Sequence, residues 1–349
     1  MRWNFEPLFL NYSRARSLNF LAEGLFFSGF QQLLYGKKAR NVGVPIVQPK
    51  LFVEMQKKID LLFREDAHHI QKGVYPPSVL RPESLWKHAM RVPKIAWDGL
   101  WLNRRRFKGN TQDFSKKIRE NMDELPRYYR RNFHFQTDGY LSEHSAELYE
   151  HQVEILFQGA ADAMRRMLIA PMKNRLLSPD GAGLRLLEIG AGTGRATRFV
   201  QQAFPKARIT CVDLSDAYLK AAQKQLRRSY RVDFVQADGA KLSFEDETFD
   251  GVYSVFLFHE LPLEERLAVL RESYRVLKPR GVVALVDSLQ LNDRSDFESL
   301  LEKFPQDFHE PFYRNYTENP MEELLGQAQF KEIQNGHRFV SKWCLGQKI

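Results

Sequence analysis

The sequence predicts a doubly wound α/β domain with a mostly parallel sheet, preceded by a helical N-terminal extension. From about residue 140 onward, short apolar runs alternate with amphipathic stretches. Such alternation is typical of strands joined by crossover helices that cover both faces of a parallel sheet. The last two apolar runs lie too close together for a crossover, so we expect them to form an antiparallel pair at the sheet edge.

The apolar runs place the predicted strands at 184–189, 207–212, 232–236, 249–255, 281–289, 330–334 and 337–345. The amphipathic stretches between them predict helices at 194–204, 216–228 and 263–277. Ahead of the first strand, apolar positions from Ser145 to Met167 predict one long helix.

The front of the chain is predicted to be helical and interrupted by prolines. Leu51 to Phe63 show a three- and four-residue apolar spacing, with Pro49 at the expected start and Gly73 at the expected end. An earlier helix is predicted from a second apolar stripe, formed by Leu18, Leu21, Leu25 and Phe26. We therefore divide the chain into a mainly helical region, 1–135, and an α/β domain, 136–349.

Composition excludes several classes of protein. With 349 residues, 43% hydrophobic and 27% charged, the chain is neither collagen-like nor wholly disordered. It has no run of about 18 apolar residues and no secretory signal pattern, so we expect no membrane-spanning helix. Two distant cysteines, Cys211 and Cys344, predict no disulfide framework, no zinc site and a reducing, cytoplasmic location.

Charge is unevenly distributed along the chain. Residues 1–135 hold 25 Lys and Arg against 12 Asp and Glu, whereas residues 136–349 hold 27 against 31. A basic region favours anionic partners, such as an acidic small molecule, RNA or lipid headgroups.

The most informative segment is the glycine-rich turn from Gly190 to Gly194. It follows the first predicted strand directly and opens a helix, with the spacing Gly-x-Gly-x-Gly and Glu188 two residues before it. Glycines allow a tight turn and a close approach of the backbone to a ligand. The third glycine of a dinucleotide fingerprint is replaced by Arg195, so a pyrophosphate ligand is disfavoured.

Three acids stand at or near the ends of consecutive predicted strands: Glu188, Asp213 and Asp238. Ligands of open α/β sheets bind at the carboxyl ends of the strands, where a carboxylate can accept hydrogen bonds from ribose hydroxyls or from the amine of adenine. Three acids without a clustered base predict a nucleoside that carries positive charge.

These motifs, together with Phe249–Val252 and Val276–Gly281, resemble the motifs of the class I S-adenosylmethionine-dependent methyltransferases. They follow one another in the same order as in that family and cover about half of the chain. The resemblance implies a Rossmann-like sheet of seven strands whose last strand is antiparallel, and S-adenosyl-L-methionine as the cofactor. Arg280 replaces a glycine that is usual in the family. The residues that the resemblance assigns to the cofactor are Glu188, Gly190, Ala191, Gly192, Gly194, Asp213, Leu214, Asp238, Gly239 and Phe256.

Methyl transfer requires a base when the acceptor is a hydroxyl or a protonated nitrogen. The loop after the fourth strand lacks the Asn/Asp-Pro-Pro-aromatic motif of enzymes that methylate planar amines, and carries His259 and Glu260 instead. His259 is the candidate base, with Glu260 as its orienting partner or as an alternative base. A purely structural role for His259 remains open.

The acceptor is expected to bind near residues 131–142, an aromatic-rich segment that would act as a lid. Gln136, Asp138 and Tyr140 are its candidate substrate-binding residues, and Asp287, at the end of the fifth strand, is a fourth. Packing of the segment on the core is the alternative.

We therefore expect a cytoplasmic methyltransferase that acts on a small-molecule or lipid-like acceptor, and the basic N-terminal region favours an anionic one. No DNA partner and no metal are expected. The sequence does not indicate the oligomeric state. RNA methylation through Arg104–Arg106 and the nearby Trp97 and Trp101 is the alternative enzyme, although a solvated charged face is favoured there. A non-catalytic protein that only binds the cofactor is the other alternative.

Overall fold

The computed structural model describes residues 4–35, 49–120, 122–291, 293, 297, 301–302, 304–305 and 308–349. Seven strands form one sheet in the order β3-β2-β1-β4-β5-β7-β6. The pairs among β1 to β5 are parallel, and β7 runs antiparallel to both β5 and β6. The strands are β1 (Arg185–Ile189), β2 (Arg208–Asp213), β3 (Val232–Gln236), β4 (Phe249–Val255), β5 (Leu277–Ser288), β6 (Lys331–Arg338) and β7 (Ser341–Gln347).

This sheet confirms the predicted fold class. The bounds of β3 and β4 are those predicted, and the pair at the sheet edge is antiparallel as expected. The strand β5 begins at Leu277, earlier than predicted, because the chain passes directly from a helix into the sheet through Lys278 and Pro279.

The helices lie before the sheet and between its strands. They are α1 (Glu6–Tyr35), α2 (Pro49–Gln71), α3 (Leu85–Lys108), α4 (Lys116–Arg119), α5 (Glu143–Leu156), α6 (Ala161–Arg166), α7 (Ile169–Arg175), α8 (Arg195–Ala203), α9 (Asp216–Leu226), α10 (Leu263–Val276), α11 (Tyr313–Glu318) and α12 (Met321–Gln327). Short 3-10 turns include Arg127–Tyr129, Phe133–Phe135 and Phe258–Glu260. None of the described helices is both long and apolar enough to cross a membrane.

Two hydrophobic cores cover the two faces of the sheet. One joins sheet residues such as Ile209 and Tyr253 to α2, α6, α7 and α8. The other joins Val252 and Leu285 to α10 and α12. Because α2 contributes Ile59 and Leu62 to the first core, apolar packing crosses the boundary that we placed at residue 135.

The predicted long helix from Ser145 to Met167 is wrong. The α5 helix ends at Leu156 and α6 begins at Ala161, with Gly159 at φ +77° in between. A Cβ atom at Gly159 would lie 3.1 Å from Cα of Ser17, and the Gly159 carbonyl accepts a 2.6 Å hydrogen bond from Arg16. The break therefore lets α1 approach closely, a tertiary requirement that periodicity cannot reveal.

The apolar stripe predicted for α1 is also wrong. Leu18, Leu25 and Phe26 are exposed. The buried face is instead a partly polar stripe: Leu10, Ser13, Ser17, Phe20 and Phe27. Small serines allow the backbone of α1 to come close to its neighbours, so packing favoured this face over the more apolar one.

Candidate functional site

A pocket opens at the carboxyl ends of β1 to β4, where the strand order reverses between β1 and β4. This is the position at which doubly wound sheets bind ligands. Its lining comes from the turn after β1, the ends of β2 and β3, the loop after β4, and the segments around residues 128–150. The pocket thus combines the predicted cofactor residues with part of the predicted lid.

The glycine turn needs its glycines for conformational reasons. Gly190, Gly192 and Gly194 have φ values of +71°, +54° and +76°, in the left-handed region that residues with a Cβ atom avoid. A Cβ atom at Gly190 would also lie 3.0 Å from Leu257. Gly190, Ala191 and Gly192 line the pocket, whereas Gly194 caps the start of α8.

Asp213 holds this turn against the end of β2. Its carboxylate accepts a 2.7 Å hydrogen bond from the Gly192 N–H and a 2.8 Å bond from the Ser215 N–H. Removal of the carboxyl from water raises the pKa of Asp213 to about 6, against the effect of these backbone bonds. Asp213 therefore both shapes the turn and presents negative charge to the pocket.

Glu188 lies at the pocket with almost no exposure to solvent. Its carboxyl accepts a 2.9 Å hydrogen bond from the Tyr253 hydroxyl and another from the Thr197 hydroxyl. Burial nevertheless raises the pKa of Glu188 to about 8. A buried acid of this kind is stabilised in its charged form when a cationic ligand arrives.

The remaining predicted cofactor residues also line the pocket. Asp238 accepts a 2.9 Å bond from the Ala240 N–H, and Gly239 lies so close to Ile189 that a Cβ atom would be 2.4 Å away from it. Phe256 has φ +56°, and its N–H bonds the Val286 carbonyl at 2.8 Å. Leu214, Asp238, Gly239 and Phe256 thus all line this pocket.

The ionisable side chains of the pocket are mainly acidic. Five carboxylates line it: Glu150, Glu188, Asp213, Asp238 and Glu260. Two arginines also line it, but Arg165 lies 3.0 Å from Glu150, and Arg195 is paired with Asp162 at 2.5 Å. The lining therefore favours a ligand with positive charge, such as a sulfonium or an ammonium group.

His259, in the loop after β4, is buried and is not part of the pocket lining. Its Nδ1 lies 2.6 Å from an oxygen of Asp287, which also accepts a 2.8 Å bond from the Phe258 N–H. Burial disfavours the imidazolium, but Asp287 outweighs this effect and raises the pKa of His259 to about 10. A protonated, paired imidazole cannot accept a proton at neutral pH, so this geometry does not favour His259 as the base.

Asp287 likewise lies outside the pocket lining and holds the His259 loop in place. Glu260, the next residue, does line the pocket. Its Oε1 accepts a hydrogen bond from the Tyr140 hydroxyl and lies 3.7 Å from Nε2 of His259. Of the two candidates for proton transfer, only Glu260 lines the pocket.

Behind Glu260 lies a buried ionisable cluster that the sequence analysis missed. His134 has its Nε2 at 3.6 Å from Glu260 and its Nδ1 at 3.0 Å from Glu310. Burial raises the pKa of Glu310 to about 7, while His134 acts in the opposite direction. His134 and Glu310 lie 176 positions apart in the sequence, and only folding brings them together.

Aromatic residues form the side of the pocket that faces Glu260. Tyr140 stacks on Phe133 with ring centroids 5.4 Å apart and lies edge-on to Tyr218 at 5.4 Å. We call the pocket-lining tyrosines the tyrosine wall: Tyr128, Tyr129, Tyr140, Tyr149 and Tyr218. Tyr140 was predicted, and the aromatic density before α5 was the signal that could have indicated Tyr128 and Tyr129.

Gln136 and Asp138 do not contact the pocket. Gln136 donates a 2.8 Å hydrogen bond to Gln152, and Asp138 accepts a 2.7 Å bond from the Ser115 N–H. Both are buried. The chain turns sharply here, with His134, Phe135 and Asp138 at positive φ. Asp138 thus ties the lid segment to the helical region through Ser115, whereas Gln136 ties it to α5.

Comparison with known proteins gives one matching family. A family model described as a methyltransferase domain matches residues 186–281, which include the glycine turn, the three acids and the loop after β4. The predicted tyrosine-bearing lid lies outside the matched residues.

Two curated relatives illustrate the match. The malonyl-[acyl-carrier protein] O-methyltransferase of Geobacter sulfurreducens is 26% identical over 51% of this chain and 68% of its own. The probable phthiotriol/phenolphthiotriol dimycocerosates methyltransferase 2 of Mycobacterium ulcerans is 36% identical over 35% of this chain and 46% of its own. The chain spans about half the length of most of the curated relatives it matches.

Among solved structures, phosphoethanolamine N-methyltransferase 2 of Haemonchus contortus, in complex with S-adenosyl-L-methionine, aligns with a TM-score of 0.42. It is 19% identical, and the alignment covers 52% of each chain.

Proposed function

We propose that this chain is a class I S-adenosylmethionine-dependent methyltransferase, as the family match of residues 186–281 supports, and that it methylates a small, lipid-like acceptor in the pocket at the ends of β1 to β4. The observation that carries the proposal is the meeting of three features in one pocket: the glycine turn, an acidic lining and the tyrosine wall. S-adenosyl-L-methionine, when bound, supplies an electrophilic methyl group on a sulfonium.

The cofactor side of the pocket fits that molecule. Gly190 and Gly192 leave room for a backbone approach, and Asp213 and Asp238 offer carboxylate oxygens to ribose hydroxyls and to the adenine amine. Glu188, whose charge is disfavoured by burial, would gain a cationic partner. These assignments use the same residues that the sequence singled out.

The acceptor side favours an apolar molecule with one polar atom. Five tyrosines and Phe133 line the same pocket as Glu260, and stacked aromatic rings bind planar or hydrocarbon groups through their faces. The mycobacterial relative is named for a lipid acceptor. An anionic acceptor receives less support, since both lining arginines are already paired with acids.

We assign proton removal to Glu260 rather than to His259. Glu260 is the ionisable side chain of the loop after β4 that lines the pocket, and Tyr140 holds one of its oxygens. Nitrogen atoms of His134 and His259 both lie within 4 Å of the same oxygen. Positioning by the tyrosine wall would supply the rest of the rate enhancement.

The experiment has two parts, so that binding and catalysis are separated. Calorimetry should show one S-adenosyl-L-methionine per chain, and its absence would contradict the cofactor assignment. The full-length protein is then incubated with radiolabelled cofactor and three acceptor sets: apolar phenols and quinols, fatty acids, and total RNA. Transfer to the apolar phenols and quinols alone supports the proposal, whereas transfer to RNA alone would favour the alternative enzyme.

A further inference from the structure

The outer face of α3 carries a row of exposed apolar residues over its first four to five turns. Residues 86, 90, 93, 97 and 101 follow one another at intervals of four, three, four and four residues, so they lie on one stripe of the helix. All are exposed, and the side chains of Trp86 and Trp97 keep 73% and 62% of their accessible surface. We call these residues the α3 stripe: Trp86, Met90, Pro93, Trp97 and Trp101.

Although these residues are exposed, α3 packs firmly on the rest of the protein through its other face. The opposite face of α3 is buried through Ile95, Gly99 and Asn103, and Ile95 packs with Phe27 of α1 and Leu148 of α5. The inner face of α3 is therefore buried, whereas its three tryptophans stay exposed to solvent. Large apolar side chains grouped on a surface mark an interaction site.

The charge of α3 indicates what kind of surface it meets. The helix contains seven Lys and Arg and a single acid, Asp98, which is buried. Three of the basic residues pair with acids of other segments: Arg91, Lys94 and Arg105. The charge that the helix presents to solvent comes from Lys87, Arg104 and Lys108. Arg104 and Lys108 continue the line of the stripe, and the Arg104 guanidinium lies 5.3 Å from the centre of the Trp101 ring. Lys87 is exposed beside Trp86. The partner should therefore be anionic and apolar at once.

We propose that the α3 stripe docks this protein onto the surface of a membrane that contains anionic lipids, with α3 lying in the interfacial plane. Tryptophan rings prefer this depth, since one edge of the ring is polar and the rest is apolar. Long basic side chains bury their stems and keep their charge at the headgroups. A second copy of the chain is a poor alternative, because two such basic helices would repel each other.

The test uses the full chain and vesicle flotation. Vesicles of phosphatidylcholine alone are compared with vesicles in which phosphatidylglycerol replaces part of it. We expect binding to the mixed vesicles, a loss on addition of salt, and at least about tenfold weaker binding for the double variant Trp97→Ser/Trp101→Ser. Leu177→Ser is the matched control, because Leu177 is 94% exposed and lies in the loop between α7 and β1.

Circular dichroism and thermal melting establish that both variants remain folded, which is expected because the stripe contributes little to the core. Absence of native binding to mixed vesicles would overturn the proposal, as would native-like binding by the double variant. So would a dimer in light scattering that the double variant abolishes. Submicromolar RNA binding that depends on the same tryptophans would overturn it in favour of a nucleic-acid surface. None of these readouts requires methyl transfer, so this proposal and the proposed function can fail separately.

Discussion

The hydroxyl of Tyr140 donates a hydrogen bond to the carboxylate of Glu260, although the two residues are 120 positions apart in the sequence. Tyr140 precedes α5, and Glu260 belongs to the loop after β4. The bond therefore joins the tyrosine wall to the sheet at the point where we place the acceptor. Both side chains are buried and line the same pocket.

Replacement of Glu260 by glutamine should lower the turnover number by roughly two to four orders of magnitude if Glu260 removes a proton from the acceptor. The amide keeps the size of the side chain and an oxygen for Tyr140, so cofactor affinity should change little. Initial rates with radiolabelled cofactor, together with calorimetry, provide the measurement. Glu264→Gln, at the exposed start of α10, is the control. Near-native turnover of the Glu260 variant would show that the carboxylate is not the base.

Replacement of Asp213 by alanine should weaken cofactor binding, because each charge-assisted bond to a ribose hydroxyl contributes roughly 1.5–3 kcal/mol. The variant should also melt at a lower temperature, since the N–H groups of Gly192 and Ser215 lose their acceptor. Asp233→Ala, on the exposed side of β3, is the control for loss of an acid at this edge of the sheet. An unchanged dissociation constant in a folded Asp213 variant would contradict the assignment.

Cofactor affinity should increase as the pH rises from about 6.5 to 8.5. Burial raises the pKa of Glu188 to about 8, so the free protein holds a proton there at neutral pH, and a cationic ligand favours its release. Calorimetry across this pH range, in buffers of different ionisation enthalpy, measures both the affinity and the released proton. Glu188→Gln should remove the proton release. A native affinity that does not change with pH would count against a charged contact at Glu188.

The pair formed by His259 and Asp287 should stabilise the fold most at low pH. The folded-state pKa of His259 is about 10, above the usual value near 6.5, so its contribution is complete below pH 6.5 and is lost as the pH rises through 10. Asp287→Asn should therefore lower the melting temperature strongly at pH 6 and only weakly at pH 10. The same difference in melting temperature at both pH values would show that His259 is not charged in the folded protein.

Strand and helix positions in the α/β domain could be predicted because each buried strand is an apolar run between turn-forming residues. The position of β4, for instance, could be predicted from the apolar run Phe249–Val255 alone. The break at Gly159 and the buried face of α1 could not be predicted, because they depend on how closely α1 approaches the start of α6. Local periodicity contains no information about that distance.

The residues of the site likewise fall into those that the sequence could predict and those that it could not. Residues that follow strand ends, such as Asp213 and Asp238, lie at the pocket because the topology of the sheet fixes their position. Gln136 and Asp138 were chosen for their polar side chains in an aromatic segment, but the chain turns sharply there, and they bond Gln152 of α5 and the Ser115 N–H instead of lining the pocket. His134 and Glu310 form an ion pair across distant segments, which no spacing in the sequence indicates.

The pocket takes its two sides from different parts of the chain. Its glycine turn and four of its five acids belong to residues 186–281, which match a methyltransferase family model, whereas four of its five tyrosines come from residues 128–149. Under the proposed function, substitutions in the second segment would therefore alter which molecule is methylated while the source of the methyl group stays the same. Chains that share this α/β domain would then differ in their acceptor through changes in one short segment, which comprises the residues before α5 and the first turns of α5. That segment is the natural target for redesigning acceptor specificity.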